Sequence, residues 1–384
     1  MDDVYYFREL KLSFHKDPSN KDKFIVFACA KNESEYIVEW VEHYLNIGFD
    51  KLIIVDNNEL GDDSLLVALT KYIDNGTVEI FDCRGMDEIQ IPLYSDFCEI
   101  GDYKWCAYFD CDEFLEIGVY DNIKAFLNSQ EADCILVNWI MFGSNGKIYK
   151  EDGTVQERFP VPLYPILYTK ENCFFKSIIR GGTHKFDNNW FNGSHIPTVN
   201  NNEAIYSLGG YIPYNSPRHC TYPPRYKMLY LKHYYTKSFN EWLVKANRGW
   251  PDGTKSLRFS NFLSFDGEER LPIEKTKVNI FGNHELSEGF KYGCDNFKVI
   301  TIYSDKSFSY ALMSFVQTIM AYAKGVTFIF APNDVIDDTM FAMFLEYAYT
   351  TGNRAVYCFN EDEIRAAEGK YAPNEISRYV ITLG

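Results

Sequence analysis

Short apolar runs alternate with amphipathic stretches over the first third of the chain. The apolar runs have the length and the β-branched or aromatic composition of buried strands, and they cover residues 23–30, 51–55, 77–81 and 105–109. Between them, apolar residues recur at helical spacing over residues 36–45, 64–73 and 90–100. Strands that alternate with helices in this way predict an α/β fold with a mostly parallel sheet and right-handed crossovers.

Three acidic residues follow the fourth predicted strand directly. Asp110, Asp112 and Glu113 come at the carboxyl end of that strand, where open α/β sheets bind their ligands. In an extended chain Asp110 and Asp112 point to one side and Cys111 to the other, which suits two oxygen ligands of one divalent cation. A D-x-D sequence also occurs by chance in turns and helix caps. Its position after a strand favours a metal site, and the metal would neutralise a diphosphate.

The loops after the first two predicted strands carry further polar residues. Asn32 and Glu35 have the spacing of a capping box for the first helix, and the alternative is that this loop holds part of a nucleotide. Asp56 ends the second strand, where a carboxylate can accept hydrogen bonds from a ribose or a base, although the turn sequence D-N-N explains it equally well. The chain has no G-x-G-x-x-G after its first strand and no G-x-x-x-x-G-K-[ST], which disfavours dinucleotide enzymes and P-loop ATPases.

A basic cluster surrounds another predicted helix further along the chain, which begins near residue 238. His233 lies at the end of a predicted strand, and residues 238–241 have the S-x-x-E pattern of a capping box. Lys237 comes just before the helix, where backbone N–H groups and the helix dipole favour a phosphate, and Lys245 and Arg248 follow within the helix. A diphosphate leaving group would require such a cluster, and a solvated helix face is the alternative for Lys245.

The composition limits the class of partner. The chain has 384 residues and a formal net charge of −16. Because nucleic-acid phosphates require a broad basic face, we expect no nucleic-acid partner. A nucleotide diphosphate would also be repelled, so its binding requires a local cation and a few Lys or Arg residues. Aromatic residues make up 17% of the chain, which indicates a large aromatic core and leaves sugar-stacking platforms as the alternative.

Cysteine spacing and hydropathy bear on the compartment. The ten cysteines form no C-x-x-C pair and no zinc-ligand spacing, which favours reduced thiols. The N-terminus has no apolar stretch of signal-peptide type, and no window reaches the roughly 18 apolar residues of a membrane-spanning helix. We therefore expect a cytoplasmic protein without a transmembrane segment, and peripheral membrane contact stays open.

The last part of the chain differs in character. Strand-like runs at residues 297–304, 326–332 and 355–359 are separated by helical stretches at 308–323 and 337–350. We expect a small accessory α/β domain at residues 297–384, after a main domain at residues 1–290. This part contains no chemical motif, and its role is unknown.

Several ordered motifs between residues 23 and 250 resemble one group of enzymes. The motifs are K-N-E-S-E-Y-I-V-E-W-V-E-H-Y-L-N-I-G, W-C-A-Y-F-D-C-D-E-F-L, N-W-I-M-F-G-S-N-G, E-R-F, K-S-I-I-R and H-Y-Y-T-K-S-F-N-E-W-L-V-K-A-N-R-G. Together they resemble glycosyltransferases of the family 2-like and family 92-like groups, which have the GT-A fold: a Rossmann-like, mostly parallel sheet with helices on both faces. The resemblance implies inverting transfer of a hexose from a nucleotide-diphosphate sugar, such as UDP-galactose or UDP-glucose, to a hydroxyl of a glycan or glycolipid acceptor. It also implies a Mn²⁺ or Mg²⁺ cofactor and a place in polysaccharide biosynthesis.

The same resemblance implies roles for individual residues. Asp110 and Asp112 would form the metal motif, with Asp110 also contacting the donor, and His233 would be a late metal or diphosphate contact. The implied donor-binding residues outside that motif are Asn32, Glu33, Asp56, Lys237 and Arg248. The chain departs from the family pattern after Arg180, where Gly181-Gly182 stands in place of an expected proline.

An inverting reaction also needs a carboxylate that takes the proton of the acceptor hydroxyl. Asp187 lies in the region where this fold supplies that base, and Glu157 and Asp266 are its rivals. Glu113 is expected to order the metal ligands instead. Two other functions stay open: a sugar nucleotidyltransferase, which would release pyrophosphate, and a non-catalytic carbohydrate-binding protein, whose binding would not depend on Mn²⁺ or on Asp110.

Overall fold

A computed structural model describes most of the chain. The described residues are 4–7, 10–15, 17–86, 89–100, 102–163, 166, 169–186, 197–199, 224–248, 262, 266, 298–304, 316–317, 319–321, 323–332, 336–373 and 378–383. Asp187 lies outside them, as does the side chain of Arg248. The roles predicted for those two residues stay predictions.

The strands and helices run as follows. The strands are β1 (Val4–Phe7), β2 (Leu10–His15), β3 (Phe24–Ala30), β4 (Lys51–Asp56), β5 (Val78–Asp82), β6 (Trp105–Tyr108), β7 (Glu113–Glu116), β8 (Cys134–Met141), β9 (Phe175–Arg180), β10 (His184–Phe186), β11 (Pro197–Val199), β12 (Tyr230–His233), β13 (Val299–Ser304), β14 (Thr327–Phe330), β15 (Arg354–Tyr357) and β16 (Arg378–Leu383). The helices are α1 (Ile37–Asn46), α2 (Ser64–Asp74), α3 (Gln90–Ile100), α4 (Ile123–Asn128), α5 (Val155–Arg158), α6 (Phe239–Arg248), α7 (Asp338–Thr351) and α8 (Glu361–Tyr371). Short 3₁₀ helices cover Pro18–Asn20 and Lys170–Cys173.

Among the described residues the main sheet has the strand order β5-β4-β3-β6-β9-β8-β12-β7. Its first four strands are parallel neighbours, which confirms the predicted α/β fold class. Beyond β6 the direction changes, because β9 pairs antiparallel with both β6 and β8. The strand β12 is parallel to β8 and antiparallel to β7, so the chain after the acidic residues returns at the far edge of the sheet.

Helices cover both faces of the parallel strands. On one face, Val26 of β3 shares a buried cluster with Trp40 of α1 and Leu69 of α2. On the other face, Phe27 contacts Tyr94 of α3, with ring centroids 5.6 Å apart in an edge-to-face arrangement. Because alternate side chains of these strands meet a helix on either face, the strands are apolar throughout instead of alternating apolar and polar residues.

The two predicted capping boxes have different outcomes. The box at Asn32 and Glu35 was wrong, because α1 begins at Ile37 with Tyr36 at its N-cap and no side chain caps it. Asn32 instead adopts a left-handed backbone with φ of 57°, and its N–H donates to Oδ1 of Asn58 at 2.7 Å. The box at residues 238–241 is confirmed, since the Ser238 N–H and hydroxyl donate to Oε2 of Glu241.

The C-terminal strands form a second sheet in the described part of the chain. Its order is β15-β14-β13-β16, and every neighbouring pair is parallel. This confirms the predicted α/β character and the helix at 337–350, while most of the predicted helix at 308–323 lies outside the described residues. Side chains connect the main sheet to α7: the Tyr230 and Tyr349 hydroxyls are 2.7 Å apart, and Phe142 meets Tyr349 edge to face. The division into domains at residues 1–290 and 297–384 stays a prediction.

Two features bear on the compartment. The free cysteines of the described region are Cys29, Cys83, Cys98, Cys106, Cys111, Cys134 and Cys358. Cys173 is disulfide-bonded, so the expectation that every cysteine is a reduced thiol was wrong at this position. None of the helices in the described part of the chain has the length and apolar character needed to cross a membrane.

The glycine pair after β9 has a steric explanation. A Cβ atom on Gly181 would lie 1.9 Å from the carbonyl oxygen of Tyr103, and Gly182 has a φ of +76°. We expect Gly181→Ala to lower the free energy of unfolding by about 1–3 kcal/mol, because the backbone must shift to relieve the overlap. Urea denaturation measures this, with Gly369→Ala as the control because its added Cβ meets nothing within 4 Å. Equal stability of the Gly181 variant and the native chain would contradict the explanation.

Candidate active site

The carboxylate of Asp110 lies at the carboxyl end of β6 and is held by α3 and β9. Its Oδ2 accepts a hydrogen bond from the ammonium of Lys176 at 2.8 Å, and its Oδ1 accepts one from Gln90 at 2.9 Å. The Lys176 side chain is 1% exposed, whereas that of Asp110 is 31% exposed. A buried cation thus holds a carboxylate that still reaches the surface.

Asp112 faces two other basic residues, one lysine and one histidine. Its Oδ2 lies 2.7 Å from the ammonium of Lys245 on α6, and its Oδ1 lies 3.4 Å from Nε2 of His233 at the end of β12. The His233 ring packs against Trp139, with ring centroids 4.4 Å apart. Burial alone would raise the pKa of Asp112, but the charges of Lys245 and His233 lower it well below its ordinary value. The two aspartates therefore contact separate cations.

Asp110 and Asp112 lie on the loop between β6 and β7, here called the acidic loop. Glu113 supports this loop from within the core. Its side chain is fully buried, and its Oε2 accepts the backbone N–H of Asp110 at 2.9 Å. Burial raises the pKa of Glu113, an effect that the charge of Lys176 reduces. The indole of Trp40 donates to the carbonyls of Asp110 and Glu113, and the hydroxyl of Tyr44 also donates to the Glu113 carbonyl. The first helix thus anchors the backbone on which both aspartates sit.

Asp56 ends β4 as a buried residue. Its Oδ1 accepts the N–H of Asn58 at 3.0 Å, which is the turn interaction that the D-N-N sequence favours. Its Oδ2 is buried and has no hydrogen-bond partner among the described residues. Burial raises the pKa of Asp56, and the hydrogen bond from Asn58 opposes that shift. A buried carboxylate oxygen without a partner is costly, so a ligand donor at this oxygen would be stabilising.

The structure brings together Glu33 and Lys237, which are far apart in sequence. The Lys237 ammonium lies 3.4 Å from Oε2 of Glu33 and 4.1 Å from the ring centroid of Tyr36. Both charged side chains are buried. Lys237 also has a left-handed backbone with φ of 52°, which is uncommon for a residue with a long side chain. The Lys237 ammonium thus pairs with the carboxylate of Glu33.

The candidate bases occupy different places. Glu157 caps the short helix α5 through a capping box with Thr154, whose hydrogen bonds lower the pKa of Glu157 and weaken it as a base. Asp266 lies beside the loop that follows β8, and its Oδ2 accepts the Ser144 hydroxyl at 2.8 Å. That loop is joined to the end of β12, because the N–H of Phe142 donates to the carbonyl of His233 at 2.9 Å.

Two donor atoms fit a divalent cation. Oδ1 of Asp112 and Nε2 of His233 lie 3.4 Å apart, close to the roughly 3 Å that separates neighbouring ligands around an ion with bonds of about 2.1 Å. No group of three or more His, Cys, Asp or Glu side chains converges within the described ranges. The described part of the chain would thus supply two ligands, and phosphate oxygens and water could complete the shell, as is usual for Mg²⁺ sites.

One lysine of this site, Lys176, was not among the predicted site residues, whereas Lys245 was predicted as part of a basic cluster for a diphosphate, with a solvated helix face as the alternative. Lys176 lies inside an apolar strand, where a charged residue requires a buried partner, and that position was the available signal. Lys245 has the spacing of an exposed helix residue, and only the fold shows that it reaches Asp112.

Comparisons with known proteins give structural similarities only. No protein-family model matches the chain, and no curated protein matches it. One similar solved structure is S. aureus TarS 1–349, at 12% identity over 91% of both chains with a TM-score of 0.29. Another is its complex with UDP, at 16% identity over 41% of this chain and 46% of that chain, with a TM-score of 0.27. GalNAc-T7 with UDP, GalNAc and Mn²⁺ matches at 14% identity over 36% of this chain and 27% of that chain, with a TM-score of 0.25. Similarities this weak carry no argument about activity.

Proposed function

We propose that the protein is a metal-dependent inverting glycosyltransferase that moves a hexose from a nucleotide-diphosphate sugar to a hydroxyl of a glycan or glycolipid. The observation that carries the proposal is the convergence of Asp112, just before β7, with His233 at the end of β12 and Lys245 on α6. In a chain with a net charge of −16, an imidazole, an ammonium and a metal-binding carboxylate at one point favour a diphosphate ligand. UDP-galactose and UDP-glucose are the proposed donors.

The donor would bind along the carboxyl edge of β3, β4 and β6. Oδ2 of Asp56 would accept a hydrogen bond from the uridine, which would satisfy a buried oxygen that has no partner among the described residues. Asn32 and Glu33 border the same loop and would form the wall of the nucleotide pocket. Asp110, held by Lys176, is partly exposed and would accept hydrogen bonds from the donor.

Asp112 and His233 would hold a Mn²⁺ or Mg²⁺ ion, which supplies positive charge to the diphosphate when it is bound. Lys237, just before α6, and Arg248, at its last residue, would add further charge. Whether Asp110 also binds the ion stays a prediction, since its two carboxylate oxygens contact Lys176 and Gln90. Stabilisation of the leaving diphosphate is the main electrostatic contribution expected from these residues.

The transfer itself forms one bond and breaks another. The acceptor oxygen forms a bond to the anomeric carbon, the bond from that carbon to the diphosphate oxygen breaks, and the nucleoside diphosphate leaves with the electron pair. A carboxylate takes the proton of the acceptor hydroxyl. Asp187 and Asp266 are the proposed bases, and the Asp266 carboxylate lies beside the loop that follows β8, where it accepts the Ser144 hydroxyl. Glu157 is the weaker candidate because its carboxylate caps α5.

We expect UDP to stabilise the native protein only when Mn²⁺ is present. Ligand binding to the folded state raises the free energy of unfolding by about 2.7 kcal/mol at a ligand concentration 100 times the Kd. Thermal-shift measurements with UDP-galactose, UDP-glucose, GDP- and dTDP-sugars, with and without Mn²⁺, test this expectation. Glycan binding that is indifferent to Mn²⁺ would instead support a carbohydrate-binding protein. Pyrophosphate release from UTP and a sugar phosphate would support a nucleotidyltransferase.

A further inference from the structure

The ammonium of Lys245 contacts Asp112 and Tyr235 beside the acidic loop. It lies 2.7 Å from Oδ2 of Asp112 and 3.0 Å from the carbonyl oxygen of Tyr235, and it sits 3.8 Å from the centroid of the Tyr235 ring. The side chains of Lys245 and Asp112 are both largely buried. An ammonium can donate up to three hydrogen bonds and is attracted to aromatic faces. Lys245 donates to two oxygens and also lies over the Tyr235 ring. Lys245 therefore does not belong to a solvated helix face.

The surrounding structure holds both Lys245 and Asp112 in position for this contact. The helix that carries Lys245 is fixed at its N-terminus by the Ser238 and Glu241 capping box, so the lysine stem starts from a rigid base. Asp112 offers its two oxygens to different partners: Oδ1 faces His233 and Oδ2 faces Lys245. The carboxylate is thus shared between a side that could bind a metal and a side that already holds a cation.

We propose that Lys245 is the resident counter-cation of Asp112: its ammonium competes with the divalent ion for this carboxylate and transfers to the diphosphate when the donor binds. This inference rests on the proposed function and adds a ligand-exchanging residue to it. Without donor, the ammonium balances the buried charge of Asp112. A divalent ion placed between Asp112 and His233 would lie close to that ammonium, and the two positive charges would repel.

Donor binding would remove the repulsion between the Lys245 ammonium and the divalent ion. The diphosphate brings negative charge to the same place, and a lysine side chain can swing between the two anions because its four-carbon stem rotates freely. The carbonyl and ring of Tyr235 keep the ammonium within reach during the exchange. The metal and the nucleotide should therefore bind with positive cooperativity, and metal without nucleotide should bind weakly.

Titration calorimetry of Mn²⁺ into the nucleotide-free protein tests the competition. We expect Lys245→Met to bind Mn²⁺ about tenfold more tightly than the native protein, because one close positive charge is removed. We expect the same variant to bind UDP about tenfold more weakly at saturating Mn²⁺, because one charge-assisted contact to the diphosphate is lost. Lys71→Met removes a charge from the exposed part of α2 and should leave both constants unchanged.

The outcomes separate this inference from the proposed function. If the native protein binds Mn²⁺ and UDP while Lys245→Met binds Mn²⁺ with unchanged or lower affinity, the competition is disproved and the proposed function stands. If the native protein binds neither Mn²⁺ nor UDP, both proposals fail. Lys245→Gln takes the place of the methionine variant if the latter does not fold, and Lys245→Arg, which keeps the charge, should retain the native Mn²⁺ affinity.

Discussion

Replacing Asp112 with asparagine should abolish Mn²⁺ binding and reduce sugar transfer by about 10³-fold or more. Asparagine keeps the shape of the side chain but removes the negative charge that both a metal and Lys245 require. His233 would then be the remaining protein ligand, and one neutral imidazole does not hold Mn²⁺ or Mg²⁺ against water. The loss of transfer is expected with UDP-galactose or UDP-glucose as donor, since the leaving diphosphate would no longer be neutralised.

The matched control for this prediction is Asp362→Asn. Asp362 is an exposed acid on α8 that pairs with Arg365 on the same helix, so its loss removes the same charge from the chain at a distance from the acidic loop. Calorimetry with Mn²⁺ and a donor-hydrolysis assay measure both variants. Metal-dependent turnover that survives in the Asp112 variant would contradict the role assigned to this carboxylate.

Most of the main fold could be predicted because its strands are buried on both faces. Such strands leave long apolar runs, and the structure places β3, β4, β5 and β6 within a residue or two of the predicted ranges. The direction of β9 could not be predicted in the same way. An apolar run has the same pattern in a parallel and an antiparallel strand, and only pairing with β6 and β8 decides between them.

Local sequence predicted the position of the acidic loop but not the residues that contact its carboxylates. The D-x-D pair was predicted from its position after a strand, and the metal role of His233 was implied by the family resemblance. The structure brings Asp112 and His233 together. The partners of the two carboxylates come from distant segments: Lys176 lies 66 residues after Asp110 and Lys245 lies 133 residues after Asp112. Sequence spacing carries no information on contacts of that range. The capping box at Asn32 was wrong for a local reason, because asparagine tolerates the left-handed backbone that delays the helix start.

Removing Arg158 should cause the largest loss of stability among the variants considered. Its guanidinium donates two hydrogen bonds of 2.9 Å to the carboxylate of Glu241, and the two side chains are 3% and 7% exposed. The Tyr36 hydroxyl and Ser238 donate to the same carboxylate. Arg158→Met would leave a buried negative charge without its main partner, which costs about 3–5 kcal/mol. The two charges join α5 to α6, so the helix that carries Lys245 would also loosen.

The Arg158–Glu241 pair also predicts how the stability difference between the native protein and Arg158→Met depends on pH. Burial raises the pKa of Glu241, but hydrogen bonds from Arg158, Ser238 and Tyr36 outweigh burial and lower it from 4.5 to about 2. Because the folded pKa lies below the unfolded pKa, the stabilisation is complete above pH 4.5 and is lost as the pH falls towards 2. Urea denaturation at pH 7 and at pH 3 should therefore show a larger gap between native protein and Arg158→Met at pH 7. Arg365→Met, which breaks an exposed pair, should change stability by less than about 0.5 kcal/mol at either pH. An Arg158 variant as stable as that control would show that Arg158 does not stabilise the fold.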